Sequence, residues 1–214
     1  MSNVVKGRGV RVELGATYGT AIAVTAVTNA NPAVATATAH GLLDNSAGYF
    51  DNVNGMVQLS GQAIRLKSST ANTFALQGLN TLSFPVFSAG NFFPVLTWVT
   101  LAEATSYTIG GGAPSKLDTT TLLDVIKQEE NGLLAVQTLN MKLLAQTIPT
   151  AATQLIESAA QAGQKVVVRI TLADGSVRIC YGEPSLPGED VQQGAVGTGQ
   201  VDFAVKGFIL KVPA

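Results

Sequence analysis

The chain has little of the chemistry on which most catalytic and metal sites depend. It contains one cysteine, Cys180, and one histidine, His40. A single cysteine excludes an intramolecular disulfide, and no pair of His or Cys residues exists to hold a transition metal. Any Ser-His-Asp or Cys-His arrangement would have to use His40, which lies in a predicted turn. We therefore predict no catalytic residue, no cofactor and no bound metal.

Charge is also scarce. Charged residues make up 13% of the chain, and the formal net charge is −1. A protein that binds DNA or RNA tightly needs a basic stripe to displace counterions, and the sequence shows none. So few charges suit a protein that hides much of its surface against neighbours, because a monomer normally relies on charge for solubility. The alternative is simply a neutral β-protein.

Long apolar runs are absent as well. No segment approaches the length that spans a bilayer, and no apolar signal core follows Met1. We expect a soluble protein that contacts no membrane, and the lone cysteine fits synthesis in a cytoplasm.

Strand signals dominate what is there. Val10, Val12 and Leu14 alternate with charged residues and predict a first strand, followed by a turn at residues 15–19. The nearest available partner for this strand begins at Val95. Between them, residues 21–94 are rich in Ala, Thr, Asn and Ser, and short strands are predicted at 33–38, 55–59, 63–68 and 73–77.

This change of composition predicts a split domain. An insertion between paired strands is tolerated where their ends lie close together. We therefore predict one β-domain of residues 1–20 and 95–214, and a small β-module of residues 21–94 inserted into it.

The rest of the chain carries clear local signals. Residues 113–131 are polar and poor in strand signal, and residues 132–146 read as one long strand. Pro149 and Thr150 start a helix that ends before Gly163. A hairpin follows over Val166–Tyr181 with a tight Asp174-Gly175 turn, and the last strand is predicted at Gln200–Val212. The fold class is mainly β with one α-helix.

The order of these features resembles phage tail tube proteins. The segment Leu117-Asp118-Thr119-Thr120-Thr121-Leu122-Leu123-Asp124 is similar to the Asp-x-Thr-x-Leu-x-Asp stretch of that family's long loop. A flanking strand pair, one helix, a hairpin and a closing strand then follow, so the resemblance covers roughly residues 95–214 and the N-terminal strand. The insert resembles a small β-module of phage structural proteins, for example at 29–34 and 39–42.

The resemblance implies a fold and a mechanism. The fold would be a two-sheet, sandwich- or barrel-like structure with one helix, and the insert would lie on the tube exterior. Subunits of a long-tailed, siphovirus-like phage would form hexameric rings that stack into a channel, through which DNA passes without specific binding. The partners would be other copies of the chain and the tail tip initiator, tape-measure and terminator proteins. The protein would reside in the virion, and in the host cytoplasm before assembly.

The resemblance also implies which residues join the rings. The long loop and the N-terminal arm would reach the next ring. The candidate contact residues are Val4, Lys6, Arg8, Arg11, Leu117, Asp118, Thr119, Thr121, Leu122, Asp124, Lys127, Glu129 and Glu130.

Three other functions stay open at this point. A tube protein of a contractile injection or secretion system would share the ring architecture. An all-β carbohydrate-binding or adhesion module would use exposed aromatic residues near Phe84–Phe93 and Trp98. A hydrolase with paired carboxylates would need two acidic residues to meet in space, and no motif supports one.

Overall fold

The structure is a computed structural model that describes Gly7 and residues 9–214. The described residues form sixteen strands, one α-helix and a 3₁₀ turn at Val57–Leu59. The elements are β1 (Arg11–Tyr18), β2 (Ile22–Val24), β3 (Ala26–Val27), β4 (Ala33–Thr36), β5 (Ala47–Asn54), β6 (Ala63–Lys67), β7 (Thr73–Leu76), β8 (Ala89–Thr100), β9 (Ala104–Gly110), β10 (Pro114–Asp118), β11 (Glu129–Leu134), β12 (Thr138–Leu144), α1 (Ala151–Gln161), β13 (Val166–Thr171), β14 (Val177–Pro184), β15 (Gly188–Asp190) and β16 (Thr198–Val212).

Fourteen of the strands form one antiparallel sheet that curls into a half-barrel. Its strand order is β3-β4-β7-β6-β5-β8-β1-β13-β14-β16-β12-β9, with β2 added to β8 and β15 added to β16. Strands β10 and β11 form a second, separate hairpin sheet. Although three strands separate β1 from β12, both contribute to one hydrophobic cluster, so the sheet curls around that cluster.

The concave side of the curled sheet holds one core. Val12, Met141 and Phe203 come from β1, β12 and β16, and each is at most 5% exposed. The helix closes this core with Ile156, which is fully buried. The alternation of these strands therefore places every second side chain in the core that α1 closes.

The helix begins and ends as the sequence predicts. The Thr150 hydroxyl accepts a hydrogen bond from the Thr153 backbone N–H at 3.4 Å, which satisfies one free donor of the first turn. Gly163 follows the helix with φ of +62°, a conformation that ends helices and that glycine adopts without a steric penalty.

The convex side of the central strands holds a second core, covered by the strands of residues 22–94. Val167 and Ile179 of β13 and β14 pack there with Phe50 and Leu66. Because both faces of β13 are covered, its sequence reads as an apolar run, Val166-Val167-Val168, instead of alternating.

One polar contact and one aromatic stack fasten this second layer. The Gln62 side chain, 1% exposed, donates to the Phe208 carbonyl at 2.9 Å and accepts from the Phe208 N–H at 3.0 Å. The Tyr49 ring stacks on Tyr181 at 4.0 Å between centroids. Within the central sheet, the Tyr18 hydroxyl of β1 accepts a hydrogen bond from the Val167 N–H of β13 at 2.8 Å. Strand β8 is continuous through residue 95, so the predicted boundary of the inserted module falls inside a strand and not in a linker.

Most of the predicted elements are confirmed: mainly β, one helix, the Val166–Tyr181 hairpin, and the pairing of the first strand with β8. Four local predictions are wrong. Strand β1 continues through residues 15–18, since it pairs there with β8. Residues 55–59 form a turn, because Gly55 has φ of +80° and breaks the extended backbone.

The other two errors lie in one region. Residues 113–131 are not a strandless connection but contain β10 and the start of β11. Residues 132–146 form parts of two strands instead of one. The separate hairpin is exposed on both faces, so it lacks the apolar alternation by which a strand is recognised in sequence.

Candidate assembly surfaces

The β10–β11 hairpin carries an exposed apolar tip. Its connecting loop, residues 119–128, presents Leu122, Leu123, Val125 and Ile126, each at least 75% exposed. Water-exposed apolar groups in one contiguous place mark an interaction surface on a protein. We call these four residues the hairpin tip.

Local hydrogen bonds order the loop beneath the tip. The Asp118 carboxylate accepts from the Thr120 N–H at 3.0 Å and from its hydroxyl at 2.6 Å. The Asp124 carboxylate accepts from the Thr121 N–H and hydroxyl, both at 2.8 Å. These bonds favour the ionised carboxylates and lower the pKa of both aspartates from the usual 3.8.

The structure brings most of the sequence-predicted contact residues together on this hairpin. They are Leu117, Asp118, Thr119, Thr121, Leu122, Asp124, Lys127, Glu129 and Glu130, and all are exposed. An ion pair of 2.7 Å between Lys127 Nζ and Glu129 Oε1 joins two of them. An isolated two-stranded hairpin is only marginally stable in water, so this element gains most from a neighbour that covers it.

The remaining predicted residues lie elsewhere. Arg11 starts β1, where its guanidinium contacts Glu13 Oε1 at 2.9 Å and Thr100 Oγ1 at 3.2 Å. A cavity of about 350 Å³ adjoins it, between β1 and the β8–β9 turn. Val4, Lys6 and Arg8 lie outside the described residues.

Sequence reasoning missed the open strand edges, of which two flank β12 and β16; the others in the large sheet are on β2 and β3. Strand β9 pairs only with β12, and β15 pairs only with β16, among the strands that the structure describes. An open edge presents unpaired N–H and C=O groups to which another chain can add a strand. The sequence predicts a strand around Tyr107, but it does not show which strands pair with it. Whether a strand is an edge depends on that long-range pairing.

Groups that could have carried chemistry have structural partners. His40 is buried in its turn, where Nδ1 accepts from the Leu42 N–H at 3.0 Å and the ring meets Phe74 edge-on. Burial raises the pKa of the Cys180 thiol to about 12, which keeps it unreactive at neutral pH. Within residue 7 and residues 9–214, no group of three or more His, Cys, Asp or Glu side chains is placed to hold a metal ion.

The aromatic residues considered for sugar binding are packed against neighbours. Phe92 is fully buried and Phe87 is 7% exposed. The Arg169 guanidinium lies 4.0 Å from the centre of the Trp98 ring, and Phe93 stacks on Tyr49. No helix of the described chain is both long enough and apolar enough to cross a bilayer.

An open sheet edge and an exposed apolar hairpin are features of a protein that associates with other chains. A family model described as phage tail tube protein, TTP, matches residues 54–186, more than half of the chain. The chain belongs to the phage tail tube protein family. It is therefore a structural subunit of a phage tail tube, found in the virion, and not an enzyme. No curated protein matches the chain.

Proposed function

We propose that the subunits form hexameric rings by joining sheets edge to edge, and that the rings stack into a channel for DNA. The observation that carries this proposal is the pair of open edges on β9 and β15. These strands flank the same two strands, β12 and β16, on opposite sides. Adding β9 of one copy to β15 of the next is a head-to-tail contact, which closes into a ring when the rotation fits.

The stacking contact is the hairpin. Its tip has apolar side chains to bury, and the next ring supplies the cover. We assign the N-terminal arm, with Val4, Lys6, Arg8 and Arg11, to the same contact; of these four residues the structure describes Arg11, which lines the cavity at the start of β1. Residues 21–94 form the inserted module on the outside of the tube, where they cover the convex face of β13 and β14.

The proposal extends to the place of the tube in a virus. The phage is siphovirus-like, and its genome passes through the channel into the host without specific binding to the wall. A tail tip protein initiates growth, a tape-measure protein sets the length and a terminator ends it. Before assembly the subunit resides in the host cytoplasm.

A disulfide ladder tests the edge contact. Asp190 of β15 is opposite Thr198, and Ser106 of β9 is opposite Lys142, so both side chains lie on one face of the sheet. Within one chain, three strand spacings separate β9 from β15, about 14 Å, and a disulfide needs Cα atoms within about 7 Å. Bonds between Ser106→Cys and Asp190→Cys therefore form only between copies.

The expected result is a covalent ladder that ends at the hexamer, in samples that show tubes by electron microscopy. Thr108→Cys with Asp190→Cys is a second pair, which allows for a shift of register along β9. Each single cysteine variant is the control and should give no band above the dimer. A ladder that ends at another number would refute the six-fold ring, and tubes without any ladder would refute the β9–β15 contact.

Replacing residues 114–134 with Gly-Gly tests the stacking role. The Ala135 N–H already donates to the Ala113 carbonyl at 3.1 Å, so the shortened chain can close there. We expect a folded protein that forms no tubes. Long tubes from this variant would overturn the assignment of the hairpin.

A further inference from the structure

One part of the convex sheet face is left bare. The module of residues 21–94 covers this face at β13 and β14 and at the C-terminal half of β16, where Leu210 and Val212 are buried under it. It stops near Lys206, whose side chain reaches Asp51 of β5 at 3.7 Å. Beyond that point, β9, β12 and the first half of β16 have one covered side, toward α1, and one open side.

The open side is polar. Strand register identifies its side chains, because residues directly opposite one another in an antiparallel pair share a face. Thr108 lies opposite Asn140, which lies opposite Asp202; Ser106, Lys142 and Gln200 form the next such row. On β9, β12 and the first half of β16 the set is Ser106, Thr108, Gly110, Thr138, Asn140, Lys142, Leu144, Thr198, Gln200, Asp202 and Ala204. We call it the polar face.

The polar face differs from a surface that binds a partner. Apart from Leu144, 40% exposed, it shows no exposed large apolar side chain. Its two charged members, Lys142 and Asp202, are of opposite sign. Asp190 of β15 and Glu183 of β14 lie on the same side of the sheet, opposite Thr198 and Ala204, so this side carries no net positive charge. Hydroxyl and amide groups keep such a face wet, and a face without net positive charge does not retain phosphate groups.

The polar face is also bounded by the two open edges. It extends across the strands that separate β9 from β15. Strand addition at these edges would therefore continue the same face from one subunit to the next. On the same side of the sheet, the part covered by residues 21–94 lies at β13, β14 and the end of β16, whereas the polar face lies on β9, β12 and the start of β16.

We infer that the polar face lines the channel and forms a hydrated wall without net positive charge, along which DNA slides. This inference rests on the proposed function, since it presupposes a ring. It assigns Thr108, Thr138, Lys142 and Gln200 to the lumen, and it leaves the module of residues 21–94 outside.

Cysteine accessibility tests the inference, because the native thiol of Cys180 is buried. Gln200→Cys and Thr138→Cys place probes on the polar face, and Leu43→Cys, 75% exposed on the module of residues 21–94, is the exterior control. Each variant is treated as subunits and as tubes with a small maleimide and with a maleimide on a large polyethylene glycol. The same samples are imaged by electron microscopy.

In tubes, we expect Gln200→Cys and Thr138→Cys to react with the small reagent and to lose reaction with the large one. Leu43→Cys should react with both reagents in both states. Equal reaction of the face probes with the large reagent would place this face outside the tube. Loss of reaction with both reagents would make it a subunit contact, and either result overturns the inference while the tube stands. If no variant and no wild-type sample forms tubes, the proposed function itself fails.

Discussion

The contribution of the hairpin tip to assembly can be predicted from one side chain. Leu122 is fully exposed in the subunit, so in the proposed stack its burial by a neighbouring ring is gained only on assembly. Burying a leucine side chain contributes about 2 kcal/mol, and this corresponds to about a 30-fold change in an equilibrium constant. Each added subunit buries one tip, so Leu122→Ser should raise the critical concentration for tube growth by about 30-fold.

The assay is sedimentation of tubes across a concentration series, with electron microscopy of the pellet. The supernatant concentration at the plateau gives the critical concentration directly. Val125→Ser should act in the same direction with a smaller effect, because valine buries less surface. Leu43→Ser removes an equally apolar, 75% exposed side chain from the module of residues 21–94 and should leave the critical concentration unchanged.

Folding has to be separated from assembly in this experiment. An exposed side chain contributes little to the subunit, so the free energy of unfolding of Leu122→Ser should stay within about 0.5 kcal/mol of wild type. An unchanged critical concentration in a folded Leu122→Ser protein would refute the argument that the tip is buried between rings. A large loss of subunit stability would refute the exposed position of the tip.

Three further outcomes follow from the structure. Tyr18→Phe removes the acceptor of the Val167 N–H and should lower the free energy of unfolding by about 1–3 kcal/mol in urea titrations. Tyr107→Phe is the control and should lower it less, because the Tyr107 hydroxyl makes no hydrogen bond to a described residue. Titration by carbon NMR should give the Asp124 carboxyl a pKa below 3.8, and a pKa at or above 3.8 would contradict its hydrogen bonds with Thr121. These bonds hold the loop at pH values above 3.8 and are lost as the pH falls through the lowered pKa. Gln200→Lys should make tubes retain DNA in a salt-dependent manner, which filter binding can measure; no retention would count against a lumen position.

Local signals were enough to predict the helix and the hairpin that follows it. Thr150 caps the start of the helix, Gly163 ends it with a positive φ, and Asp174-Gly175 makes the turn between β13 and β14. These residues act on neighbours a few positions away. Their effect can therefore be read without knowing the rest of the fold.

The features that matter most for assembly were harder to predict. Strand β15 has three residues, Gly188–Asp190, which is too short for a periodic pattern. The open edge of β9 exists because Thr108 pairs with Asn140 on one side and with no described residue on the other. Such facts depend on pairing between distant segments, which composition and alternation do not determine. The contact residues of the hairpin were named from a resemblance, although its strands were missed.

Three separate surfaces of the subunit explain why the chain has so few charged residues. In the proposed tube, the apolar hairpin tip is covered on stacking, the polar face carries no net positive charge, and the open edges bond through backbone groups. None of these surfaces gains from ionic side chains, so a tube subunit needs fewer of them than a soluble monomer does. Both proposed contacts join different surfaces of neighbouring copies, so stacking has no built-in end. With these contacts, the subunit alone should give tubes of irregular length, which electron microscopy can measure.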